Sequence, residues 1–232
     1  MIITPTVLIR ISAGAAVAAG VTFIGVQLGH PHSDVVAVTT TEWAVRNVFK
    51  VLMAILALAG ITGMYLRQVR EIGLLGLIGY GVFALGYLTI MAGAFVSAVV
   101  LPTIAATDPA YVNDVLAAAT NGAATGDIGL MQTALNISGA TFLGGGLIFG
   151  IALYRTRVLA RWAAVLLAVA SLLTASLAFL PDAFYRFLAF PNAIAMIALG
   201  YSLWLTTRVR TAIPTTLPAG ADEEVSTVAD RR

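Results

Sequence analysis

Charge is confined to short segments of this 232-residue chain, and the stretches between them contain no acidic or basic side chain. Six windows are free of Asp, Glu, Lys and Arg: residues 11–33, 51–66, 72–107, 128–154, 162–181 and 187–207. A bilayer core about 30 Å thick needs about 20 apolar residues of helix, and a charge at its centre costs roughly 2.5–3.5 kcal/mol. The six windows therefore predict an all-α, polytopic membrane protein.

The composition agrees with this class. Hydrophobic residues form 59% of the chain and charged residues 10%, whereas soluble proteins average about 45–50% and about 25%. A water-soluble fold of this size cannot bury such an excess. The chain has no cysteine, which excludes disulfides, thiolate metal sites and cysteine nucleophiles. Lys50 is the only lysine, and its place at the edge of a predicted span argues against a retinal Schiff base.

The windows and their charged borders predict one transmembrane domain, residues 1–211, built as a six-helix bundle. Its spans are expected at about 7–28, 47–66, 72–101, 131–154, 161–180 and 187–207. A secretory signal with Arg10 as its basic region is the alternative for the first span. No A-x-A site closes that apolar run, which favours an uncleaved anchor. Residues 212–232 are rich in Thr, Pro, Ala and acidic residues, a composition that predicts a disordered cytoplasmic tail.

The basic residues predict the orientation, because cytoplasmic loops carry an excess of Lys and Arg. With the N-terminus in the cytoplasm, ten basic residues fall inside: Arg10, Arg67, Arg70, Arg155, Arg157, Arg161, Arg208, Arg210, Arg231 and Arg232. Three fall outside: Arg46, Lys50 and Arg186. We therefore expect a multi-pass protein of the cell inner (plasma) membrane with both termini in the cytoplasm.

The longest outer loop, residues 102–130, has no basic residue. Asp108 followed by Pro109 is typical of a helix N-cap and the first helical position. The apolar residues that follow share one helical face: Tyr111, Val112, Val115, Leu116 and Ala119. The pattern predicts a short interfacial helix on the outer membrane surface, with its apolar face against lipid or the bundle.

Seven glycines recur at close spacing within or beside the predicted spans: Gly25, Gly29, Gly73, Gly76, Gly79, Gly146 and Gly150. Small residues let helix backbones approach each other in lipid, where no hydrophobic force drives helices together. These glycines therefore predict helix packing within the bundle. Homodimerisation through the same surfaces is the alternative.

His30, His32 and Asp34 form the one cluster with metal-ligand character, of a kind that suits zinc or copper. Two histidines around Pro31 do not complete a site, so Glu42 would have to join them. A solvated polar loop is the alternative interpretation. The chain has no other histidine, which excludes bis-histidine haem inside the bundle.

Uncharged polar residues in mid-membrane are the default place to look for function. Pro191 removes a helical hydrogen bond beside Asn192, and Gln27, Gln132 and Asn136 lie near the same outer helix ends. These five residues predict an outward-facing ligand pocket. A structural kink with a local amide hydrogen bond is the alternative.

No catalytic motif stands out. The chain has no H-E-x-x-H, no phosphate-binding G-x-x-x-x-G-K and no charge pair at membrane depth for acid–base chemistry. Coupled ion transport would normally need a buried carboxylate, and the spans carry none. We expect no cofactor, no catalytic residue and no nucleic-acid partner.

The segment 152–167 reads Ala-Leu-Tyr-Arg-Thr-Arg-Val-Leu-Ala-Arg-Trp-Ala-Ala-Val-Leu-Leu. It resembles a segment that recurs in small six-span bacterial membrane proteins grouped only as a domain of unknown function. These proteins have a short basic turn followed by Arg-Trp-Ala and leucines. The resemblance covers about 30 residues, implies the bacterial inner membrane and carries over no catalytic residue.

Two functions follow as hypotheses. The first is a non-enzymatic membrane protein that binds or passes a neutral or amphipathic small molecule, or a lipid, in an outward-facing pocket. The second is a structural or accessory subunit that packs against another membrane protein. The expected partners are thus the lipid bilayer, a small-molecule or lipid ligand, and a membrane protein or a second copy of the chain.

Overall fold

The computed structural model describes residues 4–28, 33–120, 122–175 and 189–209, and every regular element within them is helical. The helices are α1 Pro5–Gln27, α2 Val35–Val38, α3 Thr41–Arg67, α4 Gly73–Val99, α5 Leu101–Ala105, α6 Pro109–Ala119, α7 Leu130–Thr156, α8 Arg161–Ala175 and α9 Ala189–Val209. Five of them, α1, α3, α4, α7 and α9, are long and apolar enough to cross a membrane. The shorter α8 is apolar over Arg161–Leu173.

The long helices lie close to the predicted spans. The largest difference is at α3, which begins at Thr41 and not at residue 47. Its start is fixed by Thr40, whose hydroxyl accepts a hydrogen bond from the Trp43 N–H at 3.2 Å, and by Glu42 in the first turn, where a negative charge is favourable. Residues 176–180 of the predicted fifth span and the predicted tail, 212–232, lie outside the described residues.

Six helices form a closed ring. In chain order α1, α3, α4, α7, α8 and α9 each pack against the next, and α9 packs back against α1. Turns of a few residues, 68–72 and 157–160, join α3 to α4 and α7 to α8 at one end of the ring. We call it the arginine end, after Arg10, Arg67, Arg70, Arg155, Arg157, Arg161 and Arg208. The opposite end carries α2, α5 and α6, and we call it the capped end.

Large apolar side chains fill the ring towards the arginine end. All of the following are 0% exposed: Ile61, Met64, Phe83, Phe149, Leu153, Leu167, Leu199 and Leu203. They belong to one continuous cluster to which all six helices contribute. This half of the ring is therefore a packed core.

The contact between α4 and α7 interlocks glycines with phenylalanines. A Cβ added at Gly79 would lie 2.7 Å from the backbone nitrogen of Phe149, and one added at Gly86 would lie 2.6 Å from the Phe142 Cα. In the reverse direction, Gly145 of α7 lies against the backbone of Phe83. The Phe83 and Phe142 ring centroids are 5.4 Å apart. The two backbones thus approach at the glycines while the rings fill the space between them.

The capped end has a hydrophobic cluster of its own. It buries Val38 of α2, Trp43 of α3, Leu101 and Ala105 of α5, Val112, Val115 and Leu116 of α6, and Ile128. The Trp43 Nε1–H donates to the Ser97 carbonyl of α4 at 3.0 Å, which ties the cluster to the ring.

Helix α6 begins as the sequence predicts, because the Asp108 carboxylate accepts a hydrogen bond from the Tyr111 N–H at 3.0 Å. Its buried face includes Val112, Val115 and Leu116 and packs against other helices of the cap. Ala119, the last residue of the predicted face, is exposed. It is the last residue of α6, and Ala118 packs against the cluster in its stead.

Asp114 fastens α6 to the segment that precedes α7. Its carboxylate accepts hydrogen bonds from the Thr125 N–H at 2.8 Å, the Thr125 hydroxyl at 2.9 Å and the Gly126 N–H at 3.0 Å. These bonds, led by that of the Thr125 backbone, lower the pKa of the Asp114 carboxyl. The cap is thus held together by a charge as well as by apolar contacts.

Candidate functional site: an apolar groove and a buried amide

The structure places the five residues of the predicted pocket apart. Gln132 and Asn136 lie one turn apart on α7, where the Gln132 side-chain amide donates to the Asn136 Oδ1 at 3.1 Å. Asn136 is exposed. Asn192 and the half-buried Pro191 lie near the start of α9, and Gln27 is the last residue of α1. Since α8 lies between α7 and α9 in the ring, the α7 pair and the α9 pair lie on helices that are not adjacent.

Asn192 differs from the other polar residues because it is buried without a partner. Its side chain is 1% exposed, and within the part of the chain that the structure describes neither its Nδ2 nor its Oδ1 atom has a hydrogen-bonding partner. A buried donor or acceptor that is left unsatisfied costs about 1–3 kcal/mol. The local amide bond expected of a simple structural kink is therefore absent from the described residues.

Arg46 holds the end of α1 to α3, a contact that sequence reasoning missed. Its guanidinium donates to the Leu28 carbonyl at 2.8 Å and to the Val26 carbonyl at 3.4 Å. It also pairs with Glu42 one turn earlier on α3, at 2.8 Å. The pairing engages the Glu42 carboxylate that a metal site at the histidines would need.

Of the three residues in the predicted metal cluster, the structure describes only Asp34. The Asp34 carboxylate accepts a hydrogen bond from the Ala37 N–H at 2.7 Å and so caps α2. His30 and His32 lie outside the described residues. No group of three or more potential ligands occurs in the part of the chain that the structure describes.

Hydroxyl groups on α9 and buried polar groups lock the arginine end. Arg10 donates to the Thr207 hydroxyl at 3.1 Å and Arg67 donates to the Thr206 hydroxyl at 3.1 Å. The Gln68 side chain is 0% exposed and accepts a hydrogen bond from the Thr156 hydroxyl. The sequence analysis assigned these arginines only to the cytoplasmic side, because nothing in the sequence reveals which helices they face.

The seven glycines predicted to pack helices have different surroundings. Gly79, Gly146 and Gly150 lie against neighbouring helices. Gly76 is crowded only by the Ile72 side chain of its own helix start. Gly25 and Gly73 have nothing within 4 Å of an added Cβ, and Gly73 supplies a φ of +62° where α4 begins. For these two the expected packing role is corrected. Gly29 lies outside the described residues.

Other glycines carry the contacts of α1 with its neighbours. Gly60 and Gly63 of α3 lie against Ala16 and Ser12 of α1. An added Cβ at Gly200 of α9 would lie 2.9 Å from the Ala16 Cβ, and one at Gly20 would meet the Ala193 carbonyl. Helix α1 therefore packs very closely against both α3 and α9.

This close approach leaves a groove on the outer face of the ring between α1 and α9, which we call the α1–α9 groove. It has a volume of about 560 Å³, within the range of about 300–1,000 Å³ usual for ligand sites. It is lined by Ala13, Gly14, Val17, Ala18, Val21 and Thr22 of α1 and by Gly200, Tyr201, Trp204, Leu205 and Arg208 of α9. Its walls are apolar, and Arg208 is the one charged residue among the described residues that line it.

A second depression lies on the other side of α1, towards the capped end. This α1–α3 hollow has a volume of about 500 Å³ and shares Val21 and Thr22 with the groove. Phe49 and Val45 of α3 line it, and the paired Glu42 and Arg46 also border it. Both depressions exist because α1 presents small side chains outwards: Gly14 and Gly25 have open space where a Cβ would be.

No protein-family model, curated protein or solved structure was found to match the chain.

Proposed function

We propose that this chain is a non-enzymatic integral membrane protein that holds a membrane lipid in the α1–α9 groove. The observation that carries the proposal is the groove itself, an apolar trough on the outside of the ring with a guanidinium in its lining. Acyl chains match the apolar walls, and Arg208 matches an anionic headgroup. The occupant is thus an anionic phospholipid.

The groove has a direction that suits such a lipid. From Thr22 to Ala13 it runs along α1 towards the arginine end, a distance of about 13 Å at the α-helical rise. Arg208 lies one residue beyond Thr207, the residue to which Arg10 donates. Arg208 thus marks the end of the groove where a phosphate is expected, and Trp204 and Tyr201 supply the amphipathic rings common at that depth.

The membrane arrangement forms part of the proposal. The five long apolar helices and α8 are taken as six spans, α6 as an interfacial helix, and the arginine end as the cytoplasmic side, with both termini there. The segregation of seven described arginines at that end supports the orientation through the excess of basic residues in cytoplasmic loops. The resemblance of the segment around Trp162 supports the bacterial inner membrane.

The test is to fill the groove. Gly14→Leu places a branched side chain in it without a clash at the Cβ. We expect the purified variant to retain several-fold less phospholipid in native mass spectrometry from a mild detergent, with the loss concentrated in anionic species. Gly81→Leu is the matched control, because Gly81 is exposed on α4 and also has open space at its Cβ.

A second variant tests recognition of the lipid headgroup separately from binding of the acyl chains. Arg208→Gln is expected to keep the lipid but lose the preference for anionic over zwitterionic headgroups. Equal phospholipid retention by the wild type, Gly14→Leu and Gly81→Leu would remove the basis of the proposal.

The accessory-subunit alternative rests on the same small residues. Gly14, Ala18 and Thr22 are spaced four apart on the groove side of α1, the small-xxx-small pattern by which membrane helices associate. If the groove holds a helix of another membrane protein, or of a second copy, Gly14→Leu removes a co-purifying protein or a dimer and leaves bound lipid unchanged.

A further inference from the structure

The α1–α3 hollow combines apolar walls with a charged rim. Val21 and Gly25 of α1 and Phe49 of α3 line its apolar part, and all three residues are exposed. Glu42 and Arg46 also line it, and they form an ion pair at 2.8 Å. A ligand in the hollow therefore meets apolar side chains and two opposite charges.

The ion pair lies at the capped end of the hollow. The Arg46 guanidinium donates to the Val26 and Leu28 carbonyls, where α1 ends. Phe49 follows Glu42 by seven residues on α3, which places it about 10 Å nearer the arginine end at the α-helical rise. The hollow is therefore polar towards the capped end and apolar towards the middle of the helices, the order in which an amphiphile is built.

The two charges of the rim differ in how much of each a ligand can reach. The Arg46 Nε and Nη2 atoms both donate to the Glu42 Oε1, at 3.0 and 2.8 Å. No hydrogen bond from another described residue reaches the Glu42 Oε2. The Glu42 side chain is 58% exposed, whereas that of Arg46 is 20% exposed. The second carboxylate oxygen is therefore the group that a donor on the ligand meets first.

A zwitterionic ligand matches this pair better than an ion of either sign. An ammonium group beside the Glu42 Oε2 is attracted by the carboxylate, but it also lies near the Arg46 guanidinium, which repels it. A negative group on the same ligand balances that repulsion when it lies on the Arg46 side. A headgroup with only one charge would leave one of the two like-charge contacts uncompensated.

We propose that the α1–α3 hollow binds phosphatidylethanolamine in the leaflet at the capped end. An acyl chain lies against Val21, Gly25 and Phe49, the ammonium donates to the Glu42 Oε2, and the phosphate lies on the Arg46 side. The volume of about 500 Å³ is within the range usual for ligand sites. This site is distinct from the α1–α9 groove and does not depend on the lipid proposed there.

The chemistry of the ammonium makes the site selective between two zwitterionic lipids. A primary ammonium has three N–H donors, whereas the quaternary ammonium of phosphatidylcholine has none. Only phosphatidylethanolamine can therefore donate a hydrogen bond to the Glu42 Oε2.

The occupancy of the hollow is tested by filling it. Gly25→Leu places a branched side chain there without a clash at the Cβ. The purified protein in a mild detergent is mixed with equal amounts of phosphatidylethanolamine, phosphatidylcholine and phosphatidylglycerol, and the bound lipids are counted by native mass spectrometry. We expect Gly25→Leu to retain several-fold less phosphatidylethanolamine than the wild type, with phosphatidylglycerol little changed. Gly139→Leu is the matched control, because Gly139 is exposed on α7 in the capped half of the ring and has open space at its Cβ.

Recognition of the headgroup is tested by Glu42→Gln. The amide keeps an oxygen that can accept from Arg46 but removes the carboxylate charge. We expect the wild type to prefer phosphatidylethanolamine over phosphatidylcholine by about two- to fivefold, the range for a partly exposed charge pair, and Glu42→Gln to bring this ratio to about one. If Glu42 served only to hold Arg46 and the end of α1 in place, the variant would lower the retention of both lipids alike and leave their ratio unchanged.

Three results would overturn the proposal. They are equal retention of phosphatidylethanolamine by Gly25→Leu and Gly139→Leu, an unchanged lipid ratio in Glu42→Gln, and loss of a co-purifying protein from Gly25→Leu with bound lipid unchanged. The last result would assign the hollow to a membrane helix.

Gly14→Leu keeps this test separate from that of the groove, because Gly14 lines only the α1–α9 groove and Gly25 only the hollow. If Gly14→Leu leaves anionic lipid unchanged while Gly25→Leu removes phosphatidylethanolamine, the groove proposal fails and the present one stands. The opposite pair of results overturns the hollow as a lipid site and leaves the groove.

Discussion

At the scale of single residues, Asn192 is a position that lowers the stability of the fold. A buried amide without partners in a ring of apolar side chains lowers stability unless something binds to it. Functional residues often have this property, because a site prepared for a ligand is incomplete without it. The sequence placed Asn192 among five candidate pocket residues, but it did not reveal that the amide is buried.

We expect Asn192→Leu to raise the free energy of unfolding of the ligand-free protein by about 1–3 kcal/mol, because it removes two unsatisfied polar atoms at similar volume. The measurement is thermal or denaturant unfolding in detergent. Asn47→Leu is the comparison, since the Asn47 Nδ2 donates to the Trp43 carbonyl at 2.9 Å and this bond is lost. Destabilisation by both variants would show that Asn192 is satisfied in the native protein.

Asp114 makes the cap sensitive to acid. Its folded-state pKa is lowered by the Thr125 N–H first and then by the Thr125 hydroxyl. A lowered folded-state pKa means that the stabilisation is fully present above the unfolded-state value, about 3.9, and is lost as the pH falls through the folded-state value. We expect Asp114→Ala to speed hydrogen exchange at the Thr125 and Gly126 amides near pH 7, and to remove the acid-dependent part of that exchange. Unchanged exchange at both amides would contradict the role of the Asp114 carboxylate in holding the segment before α7 to α6.

At the scale of elements, the close contact between α4 and α7 depends on which helix face each glycine occupies. Gly144 and Gly145 are adjacent in sequence, but Gly145 lies against the Phe83 backbone while Gly144 has open space. We expect Gly145→Ala to lower stability by about 1–3 kcal/mol through overpacking. Gly144→Ala should raise it by about 0.5–1 kcal/mol, because alanine is the better helix former. Melting temperatures that change in the same direction for both variants would contradict the assignment of Gly145, and not Gly144, to the contact with α4.

Some features of this fold can be predicted from a single sequence and others cannot. Charged residues at the helix borders located the long helices to within a few residues, apart from the start of α3, because lipid tolerates few charges at depth. The inner faces were not predictable, because lipid and protein interior are equally apolar and hydropathy does not separate them. Gly25 was therefore assigned to packing although it faces outwards, and Gly60 and Gly145 were overlooked. The short helices α2 and α5 have too few residues for a recognisable period.

At the scale of the whole molecule, the segregation of charge gives an orientation that can be measured. We expect Asn113→Cys, exposed on α6 at the capped end, to react with a membrane-impermeant maleimide in intact cells. Arg157→Cys, exposed in the turn between α7 and α8, should react only after permeabilisation. The reverse pattern would invert the proposed topology and place the groove's arginine in the outer leaflet.

The closure of the ring by α1 and α9 has a consequence for biosynthesis. The ribosome completes α1 about 160 residues before it begins α9, which at 5–20 residues per second is an interval on the order of ten to thirty seconds. During that interval the alanine and glycine face of α1 that will receive α9 has only lipid, or an insertion chaperone, against it. The contact between α1 and α9 is therefore the last of the ring contacts to form. A chain released before α9 is complete exposes the groove-forming face of α1 to cellular quality control.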